Sequence, residues 1–410
     1  MSAATRPVSV GFPRGALAWG LVLAAGWASL AAVGYRARDP DSRLYAEISA
    51  RMAESPVRSW IAPEFPPGWY MSGLFREHPV GFFVPAAILG VLGYPAAQAA
   101  YALNALYQVL AIVTLQRLAA TLVPGVEARA LGWLIQLLPI AFTFRIRANH
   151  EAALLLCLLL ALYGTERSRR EPRWMLLTVA GLVGLLLVKG LVAVFGPALC
   201  VLWLAARRLT SGARADSDRT AWLGIAAGVL AMGATAAVYE LLYRLATGEP
   251  FWSFYATRQL GVAAATGTDS GLSGMLSNLV WYLGRVVWFP FPWSVILVVA
   301  LWRGRSRSLA QTPRPDAGTR AGVFFTAGVA LLFVGLFSLS QRRADRYIFP
   351  VYYAVGAAGG IAGLRLVPPL RRIAERLDRP WVPAAVWALT FTAHLLAGRL
   401  GLPTVKLWAP

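Results

Sequence analysis

Cysteine, histidine and lysine are scarce in this 410-residue chain, which contains two cysteines and three histidines. Both cysteines, Cys157 and Cys200, lie within apolar runs. A disulfide framework and a cysteine-based metal cluster are therefore excluded, and we interpret both as packing residues. Lysine occurs only as Lys189 and Lys406, and a lone lysine in an apolar run is a candidate functional residue.

Charge is scarce as well. Charged residues make up 14% of the chain and hydrophobic residues 58%, whereas about a quarter of a typical soluble domain is charged. An ordinary soluble domain is thus excluded, and a polytopic membrane protein is indicated. The formal net charge of +20 comes from basic residues between apolar runs, where membrane topology explains them, so we expect no nucleic-acid partner.

The apolar runs predict a single all-α integral membrane domain over residues 1–410, with about eleven transmembrane helices. The first run, 16–33, follows Arg6 and Arg14 as in a signal peptide, but its length is nearer to the roughly 20 residues of a span. We therefore predict a retained first helix within residues 1–35. The remaining bundle, 97–410, has predicted spans at 97–116, 130–144, 152–164, 174–188, 191–205, 222–245, 290–302, 321–339, 347–363 and 381–400.

Loop charges decide whether the apolar segment 79–94 crosses the membrane. It has 16 residues with two prolines and three glycines. If it does not cross, the basic N-terminus shares the cytoplasmic face with the arginine-rich loops at 167–173, 207–219, 303–320 and 365–379, as the positive-inside rule requires. We therefore predict an interfacial or re-entrant helix at 79–94, a cytoplasmic N-terminus and an outer C-terminus.

Residues 36–96 then form a large outer loop, which holds six of the nineteen acidic residues. Acidic side chains are costly near lipid, so this cluster indicates a functional site. The spacing in its first half predicts an interfacial helix that starts at Asp41 or Ser42. One face of that helix is apolar and consists of Leu44, Tyr45, Ile48 and Met52.

Two carboxylates in this loop are catalytic candidates. Asp41 is expected to cap the helix, and a cap leaves one carboxylate oxygen free to act as a base. Two roles are considered for Glu77: a salt bridge with Arg76, or a catalytic base whose pKa is tuned by partial desolvation. Asp39 and Asp41 also form a candidate pair of oxygen ligands for a divalent cation such as Mg or Mn.

Cations are expected to reach the same site from the other outer pieces, which are 145–151, 189–190, 247–276 and 341–346. Positive charge is disfavoured outside unless it is used, which singles out Arg147, Lys189 and Arg346, the last followed by Tyr347. His78 adds a hydrogen-bonding group for phosphate oxygen. We interpret Asn149-His150-Glu151, beside Arg147, as a helix cap. A lipid phosphate lies at the level of these cations, so we predict a lipid-phosphate site.

The order of these motifs resembles the GT-C membrane glycosyltransferases of the protein O-mannosyltransferase type. That family includes the bacterial lipid A aminoarabinose transferases and related galacturonosyl and hexosyl transferases. DSRLYAE at 41–47 is similar to the start of the family's first outer loop, and EHPV at 77–80 is similar to its next element. KG at 189–190 and the segment 338–350, which ends in RYIFP, are similar to its later elements.

The resemblance implies a GT-C-like helix bundle with its catalytic residues in the first outer loop. Asp41 would be the principal catalytic carboxylate, as base or metal ligand, and Glu77 would assist it. His78 and Lys189 would lie near the lipid phosphate of the donor.

These observations lead to one main functional hypothesis and one rival. The main hypothesis is an inverting glycosyltransferase of the bacterial inner membrane that transfers a hexose or pentose from a polyprenyl-phosphate donor. The acceptor is a hydroxyl of a glycolipid, glycan or protein on the periplasmic face. Trp60, Trp69 and Tyr70 are expected either to stack on sugar or to form an interfacial aromatic belt. The rival is a lipid flippase or transporter, in which the same charges line a pathway.

Overall fold

A computed structural model of the protein describes residues 39–69, 71–123, 125–211, 218–264, 272–305, 316–340 and 343–399, together with positions 20, 23 and 26. Apart from those three positions, the predicted first helix lies outside the described residues, as do Arg6, Arg14, Tyr70 and Lys406.

The described part of the chain is helical and contains no β-strand; one isolated bridge joins Glu64 and Leu74. The all-α prediction is therefore confirmed. In chain order the α-helices are α1 Pro40–Glu54, α2 Val84–Val91, α3 Ala96–Ala120, α4 Val126–Leu134, α5 Pro139–Phe144, α6 His150–Ser168, α7 Met175–Lys189, α8 Phe195–Ser211, α9 Arg219–Thr247, α10 Trp252–Ala264, α11 Leu272–Trp288, α12 Trp293–Arg305, α13 Ala317–Ser338, α14 Phe349–Leu366, α15 Pro368–Arg376 and α16 Val382–Arg399. Short 3₁₀ helices cover Val57–Ser59, Val80–Phe82, Ile135–Leu137, Pro172–Trp174, Gly190–Val194 and Asp345–Ile348.

Several of these helices are long enough to cross a membrane. By length and composition, five helical stretches among the described residues qualify, or six if α11 and α12, which bend by 97° at their junction, form one broken span. The protein is accordingly a multi-pass membrane protein. The expected count of about eleven spans stays a prediction.

Pro172–Thr210 is helical almost throughout, and its 39 residues count as one of the five stretches that are long and apolar enough to cross a membrane. Its contacts show that the chain nevertheless reverses at Gly190–Val194. Lys189, at the end of α7, pairs with Glu151 at the start of α6, whereas Trp203 of α8 donates to Glu166 near the end of α6. Helices α7 and α8 are therefore antiparallel, as the two predicted spans on either side of residues 189–190 require.

The segment 79–94 contains a helix that is too short to cross a membrane. Helix α2 has 8 residues, which gives a length of about 12 Å, against about 30 Å for the hydrocarbon core. Gly90 of α2 faces Ala53 of α1 and Ala96 of α3, with no room for a Cβ atom. Helix α2 thus lies between α1 and α3, and its place in an outer loop stays a prediction.

Two stretches have a secondary structure that was not predicted. The expected span 130–144 is broken at Leu138, whose backbone is extended, because Pro139 disfavours helical geometry in the residue before it. The predicted outer piece 247–276, for which no secondary structure was predicted, contains α10 and the first turn of α11.

The predicted cytoplasmic loops carry their own buried ion pairs. Asp218 is fully buried and accepts hydrogen bonds from Arg169 Nε at 2.6 Å and Arg208 Nε at 2.7 Å. Glu166 accepts from Arg207 at 3.1 Å. These pairs join α6, α8 and α9 at the end opposite the acidic outer loop.

Helices α6 and α7 approach closely through glycines, as membrane helices often do. A Cβ atom on Gly181 would lie 2.5 Å from the backbone nitrogen of Ala161 and 2.6 Å from the carbonyl oxygen of Cys157. Backbone atoms cannot rotate away, so any side chain here forces the helices apart.

We therefore expect Gly181→Ala to destabilise the protein by about 1–3 kcal/mol, the usual cost of overpacking. Thermal unfolding in detergent measures it. Gly233→Ala in α9 is the matched control, because nothing lies within 4 Å of its added Cβ. An unchanged melting temperature for Gly181→Ala would contradict the close helix contact.

Candidate functional site

The outer pieces predicted from loop charges meet at one end of the bundle. Charged pairs connect them, and these pairs are Asp39–Arg147, Asp41–Arg346, Glu77–Arg258 and Glu151–Lys189. The first outer loop therefore contacts residues that follow it by more than a hundred positions. The site is composite, with charges drawn from five separate segments.

Asp39, rather than Asp41, caps helix α1. Its carboxylate accepts from the Ser42 backbone N–H at 3.1 Å, and the Ser42 hydroxyl lies 2.6 Å from the same oxygen. Ser42 is buried, and its hydroxyl accepts from the Ala148 N–H at 3.2 Å. The sequence-based cap assignment to Asp41 or Ser42 was wrong because Pro40 begins the helix, which is a favoured first position for proline.

Asp41 lies in the first turn of α1 and forms an ion pair with Arg346. Its side chain is 35% exposed, so one side of the carboxylate remains accessible. Because Asp39 provides the cap, neither oxygen of Asp41 is needed for capping; Oδ2 accepts from Arg346. The structure thus leaves Asp41 better placed for chemistry than the predicted cap would have.

Glu77 pairs with a residue that the sequence did not indicate. Its carboxylate accepts from Arg258 Nη2 at 2.6 Å, and its carbonyl oxygen accepts from Gln259 Nε2 at 3.0 Å. Both partners lie on α10. The salt bridge with Arg76, one of the two roles considered for Glu77, is not formed: Arg76 pairs with Glu249 and also donates to the Tyr243 hydroxyl at 3.0 Å.

Two imidazoles and a tyrosine form a buried cluster between these carboxylates. The ring centroids of His78 and His150 are 4.3 Å apart, and those of Tyr45 and His150 are 4.5 Å apart. His150 is 1% exposed and also packs on Phe82. Nδ1 of His78 and Nε2 of His150 are buried and have no hydrogen-bond partner in the structure.

Burial sets the protonation of the two groups in this cluster that lie in the outer loop. It holds the pKa of His78 well below the ordinary value, and His150, Lys189 and Arg346 lower it further. His78 is therefore neutral near pH 7. Burial also raises the pKa of Tyr45 well above its ordinary value, and the charge of Asp41 is the next cause. Tyr45 thus remains a neutral hydroxyl.

Lys189 is buried and held from two sides. Its Nζ donates to Glu151 Oε1 at 2.9 Å, and its carbonyl oxygen accepts from the Tyr255 hydroxyl at 3.0 Å. The next residue, Gly190, has φ of 53° and packs against Tyr255. A side chain at Gly190 would be strained and would collide with the ring, which explains the Lys-Gly sequence at this turn.

The other predicted phosphate ligands are placed differently. Arg147 lies 3.9 Å from Asp39 and stacks over Phe144, so it borders the site at the start of α1. Tyr347 stacks on Phe337 of α13, with ring centroids 5.0 Å apart. Its contact with a donor stays a prediction.

The predicted aromatic and metal roles find little support in these contacts. Trp60 is buried, and the indole of Trp69 donates to Glu47 at 3.3 Å. Asp39 is engaged as a helix cap and Asp41 in an ion pair. Among the described residues, no group of three or more metal-binding side chains comes together, and the metal role of this pair stays a prediction.

Sequence reasoning missed several residues of this site. Tyr45 was assigned to the apolar face, and His150 and Glu151 were assigned to a helix cap. Arg258 was not considered, although positive charge in a predicted outer loop is the same signal that singled out Arg147.

Comparison with known families identifies one match within the chain. Residues 76–245 match the family of dolichyl-phosphate-mannose-protein mannosyltransferases. This range includes Glu77, His78, Arg147 and Lys189. No curated protein matches the chain.

Among solved structures, the fold is similar to ArnT from Cupriavidus metallidurans. The ArnT structure with undecaprenyl phosphate has a TM-score of 0.65 at 18% identity, and the similarity covers 95% of this chain and 77% of that one. The apo ArnT structure gives 0.64 at 20% identity, with the same coverage. The family match and the shared fold confirm the predicted resemblance to GT-C glycosyltransferases.

The buried Lys189–Glu151 pair provides a test of the site's electrostatics. Its side chains are 11% and 3% exposed, so Lys189→Met leaves a buried carboxylate without its partner, at a cost of about 3–5 kcal/mol. Combining it with Glu151→Leu should recover most of that loss. Free energies of unfolding in detergent provide the measurement.

Arg244→Met is the matched control, because Arg244 and Glu240 form a more exposed pair, at 58% and 21%. Such pairs contribute less than about 1 kcal/mol. If Lys189→Met and Arg244→Met lower the free energy of unfolding equally, the Lys189–Glu151 pair is not buried.

Proposed function

Given a GT-C fold and a family match over residues 76–245, we propose that the protein is an inverting glycosyltransferase that uses a polyprenyl-phosphate sugar donor. It acts at the outer face of a bacterial inner membrane and glycosylates a hydroxyl of a glycolipid, glycan or protein. ArnT, which shares the fold, binds undecaprenyl phosphate.

One observation carries the proposal: Asp41 and Arg346, from the first and last described outer pieces, form an ion pair at the centre of the composite site. A glycosyl transfer needs a base for the acceptor and cations for the departing phosphate. The Asp41–Arg346 pair places one base and one cation in contact.

The chemistry follows from that pair. Asp41 accepts the proton of the acceptor hydroxyl, and the hydroxyl oxygen forms a bond to the anomeric carbon. The bond from that carbon to the phosphate oxygen breaks, and its electron pair leaves with the lipid phosphate. Attack opposite the leaving group inverts the anomeric centre. Arg346 and Lys189 stabilise the charge that develops on the phosphate.

Glu77 and Arg258 support the same reaction from α10. Their ion pair fixes the end of the first outer loop next to His78. Glu77 therefore positions this end of the site, and Asp41 is the principal base.

A cleft in the bundle suits the lipid part of the donor. It lies among α3, α6, α8, α13 and α14 and is lined mainly by apolar side chains, among them Leu115, Leu158 and Leu199. Its lining includes Pro350, which follows Arg346 closely in the chain. A polyprenyl tail in this cleft would direct its phosphate toward the arginine.

The test is turnover of radiolabelled polyprenyl-phosphate sugars by the purified protein. Asp41→Asn should lower turnover by about 10²–10⁴-fold, the usual effect of removing a general base. Asp39→Asn is the matched control, two residues away, and should retain activity because asparagine caps helices as well as aspartate does.

Two results would contradict the proposal. One is a wild-type protein that consumes none of the donors; the other is an Asp41→Asn variant with full turnover. Transport of the intact donor across vesicles without turnover would instead identify a flippase.

A further inference from the structure

The strongest unexplained feature of the site is its pair of imidazoles. The proposed reaction uses neither His150 nor the buried Nδ1 of His78. Both unpartnered nitrogens are buried, and a buried polar atom without a partner is costly in a folded protein. The two rings are in contact, at 4.3 Å between centroids.

The charges around this pair are already balanced. The charged groups that act on the two imidazoles are Glu151 on α6, Lys189 on α7 and Arg346 on the 3₁₀ turn before α14. Asp41 and Glu77 act on Tyr45, which packs against both rings. Both cations in this set have a carboxylate partner: Lys189 has Glu151 and Arg346 has Asp41. Glu77 in turn is paired with Arg258.

A phosphate anion that enters such a site meets no excess positive charge. It must either take a cation from its carboxylate, which leaves a poorly solvated carboxylate alone, or bring a compensating charge with it. The imidazoles are the groups in this cluster that can gain a positive charge near neutral pH.

We propose that His78 and His150 together take up one proton from solvent when the donor phosphate binds. The proton occupies one of the two unpartnered nitrogens, and the resulting imidazolium pair supplies the positive charge that the ion pairs do not. His78 and His150 are then positioning residues for the donor phosphate. This inference rests on the proposed function, because it assumes that a lipid-linked phosphate binds here.

The direction of the pH dependence follows. Without an anion, burial and the nearby cations keep His78 neutral, whereas a bound anion favours its charged form. Binding is then tightest below the pKa of the free pair and weakens as the pH rises from that pKa to the higher pKa of the pair in the complex. For one proton, the dissociation constant rises by up to about tenfold per pH unit within this interval and levels off above it.

Calorimetric titration of the purified full-length protein in detergent tests this. The probe is farnesyl methyl phosphate, a phosphodiester whose single charge does not change between about pH 6 and 8.5. Titration in two buffers with different ionisation enthalpies gives the number of protons taken up. We expect about one proton for the wild type near neutral pH.

Two variants separate this role from a structural one. His78→Lys carries a permanent charge, so it should bind the probe without proton uptake and with an affinity that does not vary with pH. His394→Gln is the matched control: His394 is 3% exposed and has unpartnered nitrogens, yet it contacts neither imidazole. It should keep the proton uptake of the wild type.

The possible outcomes are distinct. Binding without proton uptake in the wild type, or unchanged uptake in His78→Lys, overturns the inference and leaves the proposed function standing. If the probe does not bind at all, the proposed donor and this inference both fail. Uptake of one proton that is lost in His78→Lys and kept in His394→Gln supports the inference.

Discussion

The site depends on ion pairs between the first outer loop and the helices that follow it. A charge near a membrane is stable only when another charge or water compensates it, and each carboxylate at the ends of this loop has a cation from a distant segment. Asp39 faces Arg147, Asp41 faces Arg346 and Glu77 faces Arg258. The loop is therefore held at both ends. On its apolar face, which was expected to rest on the membrane, Tyr45 packs on Phe75, Phe82 and Phe83 of the same loop.

Physical rules that act over short distances along the chain were the most predictive. Apolar run lengths predicted an all-helical membrane protein, and loop charges predicted which pieces share one end of it. Helical spacing predicted the buried face of α1, where Leu44, Ile48 and Met52 are all buried. The same charge argument kept the segment 79–94 out of the set of spans, and α2 is indeed too short to cross.

Partners in space were predicted poorly. A salt bridge between Glu77 and its neighbour Arg76 was one of two alternatives, but both residues pair with residues of later segments. Asp41 was expected to cap a helix that Asp39 caps, because Pro40 moved the start of the helix by one residue or two. His150 and Glu151 were read as a helix cap, which describes their place in α6 but not their contacts. Ion pairs over such separations depend on how the helices pack, and a single sequence carries no periodic signal for that packing.

The pairing of Asp41 with Arg346 also orders the steps by which the protein is made. The two residues are 305 positions apart, and the chain enters the membrane from its N-terminus. Asp41 is synthesised early, and it has no arginine partner until the chain has been made as far as the turn after α13. The acidic loop thus becomes a site only when that turn is in place. A ribosome that stops before residue 346 would release a chain with most of its spans and no assembled centre.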